Sequence, residues 1–437
     1  MSGFERVLIM GTGPASVQLA VLFKKQRGST IGVAGRESIR SNEFFGALDR
    51  HDQHICVSVQ NEKHRSLAGE CRVDRIFTGY SRIEGSWDTL ILAVTTDAYV
   101  QVLSQVDPDV LKQVQCIVLV SPTFGSNRLV HQYVSELGYT PEVISFSTYC
   151  GDTRWTDGQP SNHVVTTGVK KKLYIGSNRT PSEAVNELCK MVDQLGVVME
   201  VMASPFEAET RNISLYVHPA LFMNEFSLNA IFGNADVQTY VYKLYPEGPI
   251  SQHLIREMLA GWKEIMRITD RLHIRPLNLL QFMTDDNYPV HLQSLSRSDI
   301  EEFVGLQDIH QEYLLYIRYT SLLIDPFSQP DEQGKYFDFS AVPFRKMFIN
   351  HEGQLEIPRM PQEDYYRIKI IQGIARHLRV DCPTIDKFIA TYENKLVQVA
   401  QEQRELPLSS TFQIRTFADD LNMICEGLEI DHQEETL

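Results

Sequence analysis

What this 437-residue chain lacks narrows it first. Its longest apolar runs, such as Leu90–Val94, are strand-sized and far short of a membrane span. Basic residues are outnumbered, 41 Lys and Arg against 56 Asp and Glu, and the net charge of -15 argues against unspecific binding to nucleic acid or an anionic membrane. The seven cysteines are scattered and form no CxxC pair. The first residues, MSGFERVLIMGTG, enter a strand pattern with no basic segment ahead of an apolar core, so no export signal is read there. In such a chain the thiols read as reduced and the expected setting is cytoplasmic. No HExxH occurs, and His51-x2-His54 has no third ligand at helical spacing, so no metal site is expected. Internal repeats and low-complexity tracts are absent as well.

What is present is a globular composition, 43% hydrophobic and 22% charged, over a length that suggests two or three domains. Strand and helix signals alternate through the first half. Arg6–Met10, Thr30–Ala34, Asp88–Thr95, Gln115–Val120, Glu142–Tyr149 and Val197–Met202 read as strands, and several are continuous apolar runs suited to parallel strands buried on both faces. His163–Ile175 reads as a hairpin. Ala15–Lys25 has helical spacing, as does Pro181–Leu195, with Thr180 as candidate cap. From about residue 206 strand signals nearly vanish and long helical stretches follow: Ala220–Phe232, Gln252–Arg271, Asp299–Leu323, Glu363–Leu378 and Pro383–Arg404. The expected fold is an α/β, Rossmann-like, doubly wound domain over 1–205 and a mainly α-helical domain over 206–437.

Residues 11–16, GTGPAS, stand between the first strand and first helix. Gly11 permits a tight turn, Gly13 lets a pyrophosphate approach the backbone, and the segment Thr12, Pro14, Ala15 opens the helix whose free N–H groups hold the anion. Ser16 takes the place of the usual third glycine, and Pro14 removes one donor. Arg36 lies at the end of the second strand, where an NAD-binding sheet carries an acid for the ribose 2′-hydroxyl. A guanidinium accepts no hydrogen bond but binds a 2′-phosphate and stacks on adenine, and Arg40 adds a second charge. The residues favour NADPH over NADH, and Arg36 counts against S-adenosylmethionine, which also wants an acid there. Glu37 beside it keeps open a solvated turn. Thr95 and Thr96 after one strand, and Pro122 and Thr123 after the next, are further candidate cofactor contacts at carboxyl ends of the sheet.

His218, followed by Pro219 and preceded six residues earlier by Asn212, opens the helical domain. A neutral histidine here can take or give a proton near neutral pH. On this segment alone a core or capping histidine is the commoner reading; its position at the domain junction raises the catalytic one. The GxGxx(A/S) loop together with Asn-x5-His-Pro, PTFGS (122–126), EVISFSTYCGDTR (142–154), GVKKKLYIGS (168–177), AETRNISLYVHP (208–219), YKLYPEGPI (242–250) and LLIDPFSQPDEQGKYFDFSAVPF (322–344) resembles the opine dehydrogenases. The blocks are similar to the bacterial metallophore branch, the staphylopine dehydrogenases and relatives, over about residues 6 to 430.

The resemblance implies a reductive condensation. The primary amine of a histidine-derived, nicotianamine-like intermediate attacks the ketone of a 2-oxo acid, water leaves, and NADPH reduces the imine. The product chelates zinc, nickel, cobalt or copper, which ties the enzyme to metal acquisition, and a homodimer is expected by analogy. His218 is then the acid/base, and Asn212 positions substrate or nicotinamide. Relatives carry an Arg and an Asp about five residues apart for the oxo acid and the histidine; the nearest pair here, Arg318 and Asp325, is seven apart, so Arg318 is either a substrate residue or a helix-surface one. Asp152 is expected to face the oxo-acid pocket and disfavour 2-oxoglutarate, whose second carboxylate it would oppose, leaving pyruvate; a turn-capping role is equally open. Lys170, Lys171 and Lys172 either attract substrate carboxylates or form a solvated face. Two other functions fit the scaffold: a dehydrogenase of a simple amino acid or small 2-oxo acid, and a nucleotide sensor without catalysis.

Overall fold

Continuous apolar runs with turn residues at their ends become strands. In chain order these are β1 (Arg6–Met10), β2 (Thr30–Gly35), β3 (His54–Val59), β4 (Gly69–Arg72), β5 (Arg75–Thr78), β6 (Thr89–Leu92), β7 (Cys116–Leu119), β8 (Glu142–Phe146), β9 (Gly151–Trp155), β10 (His163–Val169), β11 (Lys172–Ser177) and β12 (Val198–Val201). This is a computed structural model, and it describes residues 3–233, 237–287, 290, 293–322, 340–403 and 405–428. An eight-stranded sheet has the order β12-β11-β8-β7-β6-β1-β2-β5. Neighbours from β8 to β5 are parallel, β8 and β11 antiparallel, and β11 and β12 parallel. The chain leaves β1 toward β2 and returns through β6 toward β7, so the topological switch point lies between β1 and β6. That is where ligands of doubly wound sheets collect.

A second sheet, β4-β3-β10-β9, has no counterpart in the expected architecture. The supposed hairpin over His163–Ile175 is corrected: β10 pairs with β3 and β9, whereas β11 pairs with β8 and β12. Helix Pro14–Arg27 packs against strands of both sheets, and its residues from Ser16 to Phe23 are therefore buried without interruption. Helix Glu183–Asp193 starts two residues later than the sequence suggests, because Ser182 rather than Thr180 caps it, accepting from Val185 N–H. The chain divides into two compact units, Met1–Asn212 and Ile213–Leu437. Helix Pro205–Thr210 packs on β8 and β11 and so belongs to the first unit, which moves the division past the expected 205.

The second unit is mainly helical, with a short antiparallel pair of strands, Phe348–Ile349 and Leu355–Glu356. Ala220–Phe232 is not one helix: Ser214–Phe222 ends at Met223, and Asn224 caps a new helix, Glu225–Phe232, through Ser227 N–H. Likewise the stretch from Asp299 is broken by a short turn at Phe303–Gly305 before helix Asp308–Thr320. Helices Gln252–Arg271 and Arg359–His377 both pack on Ser214–Phe222. Glu264, 3% exposed, reaches across to the start of helix Pro383–Glu402 and accepts from Thr384 N–H (2.8 Å) and Ile385 N–H (3.0 Å). Helix starts leave such donors without partners, and a buried carboxylate is met by them in turn.

Glu264→Ala should therefore cost about 1–3 kcal/mol, the weight of orphaned buried donors. Urea unfolding measures it; an unchanged midpoint would remove the capping role.

Candidate active site

The loop after β1 is closed on one side and open on the other. Gly11 has φ +133°, and a Cβ there would collide with the Ala93 carbonyl oxygen beyond β6. Gly13 precedes helix Pro14–Arg27, and a Cβ on it would meet nothing within 4 Å. An anion can thus approach the helix start over Gly13, with Thr12, Pro14 and Ala15 around it. The Ser16 hydroxyl is buried and has no partner among the described residues.

At the end of β2, Gly35 lies against the Thr12 methyl so closely that a Cβ would clash. Arg36, exposed, directly follows this strand end, and the acid beyond it, Glu37, is engaged by Arg82 NH2 at 2.9 Å. The phenol of Tyr80 is buried beside it: burial pushes Tyr80 up to about 12, while the Arg36 charge and backbone pull it back. Helix Ile39–Arg50 begins at once, capped by Ser38, with Arg40 exposed in its first turn. Ser41 Oγ is 3.1 Å from Ser38 Oγ and 3.2 Å from Thr12 Oγ1. Loop and helix start therefore share a hydroxyl cluster with two arginines in adjacent turns, a donor set suited to a phosphate on the ribose. Ser38 and Ser41 went unnoticed in the sequence, although a serine just before a helical stretch is a readable cap signal.

Thr95, half-buried, and Thr96, 7% exposed, follow β6. Pro122 and Thr123 follow β7; the Thr123 hydroxyl is buried with no partner among the described residues. This second loop is held by Glu209, fully buried on helix Pro205–Thr210, which accepts from Gly125 N–H (2.8 Å), Asn127 N–H (2.7 Å) and Ser145 Oγ (2.9 Å). Burial pushes the Glu209 carboxyl up to about 8, and those three donors only partly offset it.

Asp152, on β9 of the small sheet, is not a lone carboxylate. Arg154 Nε and NH2 pair with its two oxygens (3.2 and 2.5 Å), and Thr167 Oγ1 donates at 2.9 Å. Burial raises the carboxyl, but these hydrogen bonds outweigh it and hold it below the usual range. Its charge is therefore compensated by Arg154 within the small sheet. Lys170 is lowered by burial. Asn212, 5% exposed, is the last residue of the first unit.

In the second unit His218 sits on helix Ser214–Phe222, with Pro219 inside the same helix. Its Nδ1 lies 3.2 Å from Asp364 Oδ1, contributed by helix Arg359–His377. Arg367, one turn on, donates to the same oxygen. A carboxylate can only accept, so Nδ1 carries the hydrogen and Nε2 keeps the lone pair. Phe222 packs edge-on to the imidazole at 5.3 Å. Asp364 is 1% exposed, its Oδ2 buried with no partner among the described residues. Arg318 is buried at 3%, donating to the Met283 carbonyl, so it is not a helix-surface residue. Asp325 lies outside the described residues. The partner of His218 is thus Asp364, itself paired with Arg367 three residues on, which sequence reasoning missed: the helical spacing of the two was visible, the meeting of Asp364 with a residue 146 positions away was not. Among the described residues no cluster could hold a metal and no helix is long and apolar enough to cross a membrane.

The family model described as staphylopine dehydrogenase matches residues 5–428. The chain belongs to the staphylopine dehydrogenase family. It is 46% identical over 429 residues to staphylopine synthase of Staphylococcus aureus (strain Mu50 / ATCC 700699), covering 98% of this chain and 99% of that one. Pseudopaline synthase of Pseudomonas aeruginosa (strain UCBPP-PA14) is 36% identical, with 89% of each chain covered. Among solved structures, yersinopine dehydrogenase with NADP+ bound superposes with a TM-score of 0.89 at 26% identity, over 96% of this chain and 98% of that one. The family assignment makes the chain an NAD(P)-dependent oxidoreductase acting on CH–NH bonds.

Glu209 gives this family member a pH signature. Its folded value, about 8, exceeds the unfolded 4.5. The stabilisation linked to its proton is complete below the lower value and lost as pH rises through the upper one. Glu209→Gln should flatten that fall in stability, as read by thermal melts between the two values; an unaltered profile would contradict the assignment.

Proposed function

We propose that the protein is an NADPH-dependent opine dehydrogenase that joins a 2-oxo acid, pyruvate in preference to 2-oxoglutarate, to the primary amine of a histidine-derived, nicotianamine-like substrate, making a staphylopine-like metallophore. The observation that carries the reading is the His218–Asp364 pair in a chain 46% identical to a staphylopine synthase. A cytoplasmic homodimer acting only on small molecules goes with it.

NADPH would be held by Gly11, Thr12, Gly13, Pro14 and Ala15 at the pyrophosphate, by Arg36 and Arg40 with Ser38 and Ser41 at the 2′-phosphate, and by Thr95, Thr96, Pro122 and Thr123 beyond. When bound, it supplies the hydride. His218 Nε2 takes a proton from the attacking amine and returns it to the hydroxyl of the addition product, which leaves as water. Asp364 keeps the ring in this tautomer and compensates its positive charge between those two transfers, as a buried carboxylate does for a catalytic imidazole. Arg367 compensates Asp364 when the imidazole is neutral, and Asn212 positions the substrate. The second carboxylate of 2-oxoglutarate needs a cation, and Arg154 is already engaged by Asp152; pyruvate needs none. Asp152 in this reading acts by occupying Arg154 rather than by repelling the substrate.

Four outcomes are expected. NADPH oxidation with pyruvate runs faster with the histidine-derived amine than with simple amino acids; equal rates would remove the metallophore assignment. His218→Ala and Asp364→Asn lower kcat by about a hundredfold or more while NADPH still binds, the usual weight of general acid–base catalysis, and full activity in His218→Ala would defeat the mechanism. Arg36→Asp weakens NADPH by about tenfold or more with little change for NADH; equal effects on both return Arg36 to the solvated turn. Finally, Asp152→Ala frees Arg154 and raises kcat/KM for 2-oxoglutarate relative to pyruvate, and Asp152→Ala combined with Arg154→Ala loses that gain. A gain that survives the double change would restore simple repulsion.

A further inference from the structure

Glu209 has no place in the chemistry above, yet no carboxylate of the first unit is more completely removed from water. All three of its donors come from segments far away in sequence: the loop Ser121–Gly125, the start of helix Ser126–Glu136, and β8. Gly125 adopts φ +89°, and in that conformation its N–H meets Glu209 Oε2. Phe124, fully buried in the same loop, packs edge-on against Phe206 of the helix that carries Glu209, ring centres 5.2 Å apart. Ser145 in turn receives Asn127 Nδ2 at 3.2 Å, and Asn127 Nδ2 also donates to the Val143 carbonyl at 2.9 Å. One six-residue helix thus grips the loop twice, by a ring and by a carboxylate.

We propose that Glu209 is the positioning residue for the nicotinamide half of the cofactor, acting through the backbone of loop Ser121–Gly125. The inference rests on the NADPH reading of the site. In the sheet order, the arginine end of the site lies over β1 and β2, and the β7 loop lies on the other side of the switch point. A dinucleotide laid across that point has its adenosine half over the first and its nicotinamide half by the second. Two backbone N–H groups fixed by one acceptor set where Pro122 and the Thr123 hydroxyl stand, and hydride transfer tolerates little error in placement. A purely structural cap would lower stability and leave the two halves of the cofactor equally bound.

The test compares NADPH with adenosine 2′,5′-bisphosphate, which carries only the arginine-facing half, by fluorescence titration and competition on wild type, Glu209→Gln and the milder Ser145→Ala. For folded Glu209→Gln, NADPH affinity or kcat falls by about tenfold, the weight of a buried hydrogen-bond acceptor, the bisphosphate stays within about twofold, and KM for pyruvate is unchanged. Ser145→Ala moves the same way by a smaller factor, and decides the matter if Glu209→Gln does not fold. Unchanged NADPH binding and kcat, or equal loss of both ligands, would overturn the inference. Failure of wild type to bind either ligand would instead overturn the NADPH reading.

Discussion

A carboxyl group withdrawn from water stays only where hydrogen-bonding partners meet it, and the framework of this protein is arranged around that demand. Glu209 ties the loop after β7 to helix Pro205–Thr210 and β8, Glu264 ties helix Gln252–Arg271 to the start of helix Pro383–Glu402, and Asp364 ties helix Arg359–His377 to His218. Each bond joins segments distant in the chain. Apolar packing brings the same elements together without direction; these carboxylates fix the register in which they meet.

The chemistry follows from two different uses of that constraint. In the first unit backbone is exposed on purpose: Gly13 leaves the helix start open, while Gly11 and Gly35 press it against its neighbours. Arginines and hydroxyls gather at the end of β2, where an acid would select the other cofactor. In the second unit a side chain is immobilised instead. Asp364, itself paired with Arg367, holds one nitrogen of His218, which leaves the other for the proposed proton transfer.

Much of this was legible in the residues. Buried parallel strands announce themselves as unbroken apolar runs, so β1, β6, β7 and β8 were placed within a few residues, and helix Gln252–Arg271 was placed to the residue. The small sheet was not legible, because β4 and β9 are short, partly exposed and rich in charge, and its two antiparallel pairs, β3 with β4 and β9 with β10, are joined only by β10 pairing with β3, remote in sequence. For the same reason His218 could be singled out from its own segment, whereas Asp364, Arg367 and Glu209 could not. Asp152 illustrates the limit from the other side: the residue was noted, its neighbour Arg154 two positions on was in plain view, and only the strand geometry shows the pair closed onto Thr167.

The central claim is that a carbon–nitrogen bond, and not a ketone, is reduced under the control of His218. It is tested most directly by supplying NADPH that carries deuterium at its reactive C4 position, together with pyruvate and the histidine-derived amine, and analysing the products by mass spectrometry. The account predicts one deuterium on the carbon that joins the former oxo acid to the amine nitrogen. Deuterium recovered in lactate, with no conjugate formed, would contradict it.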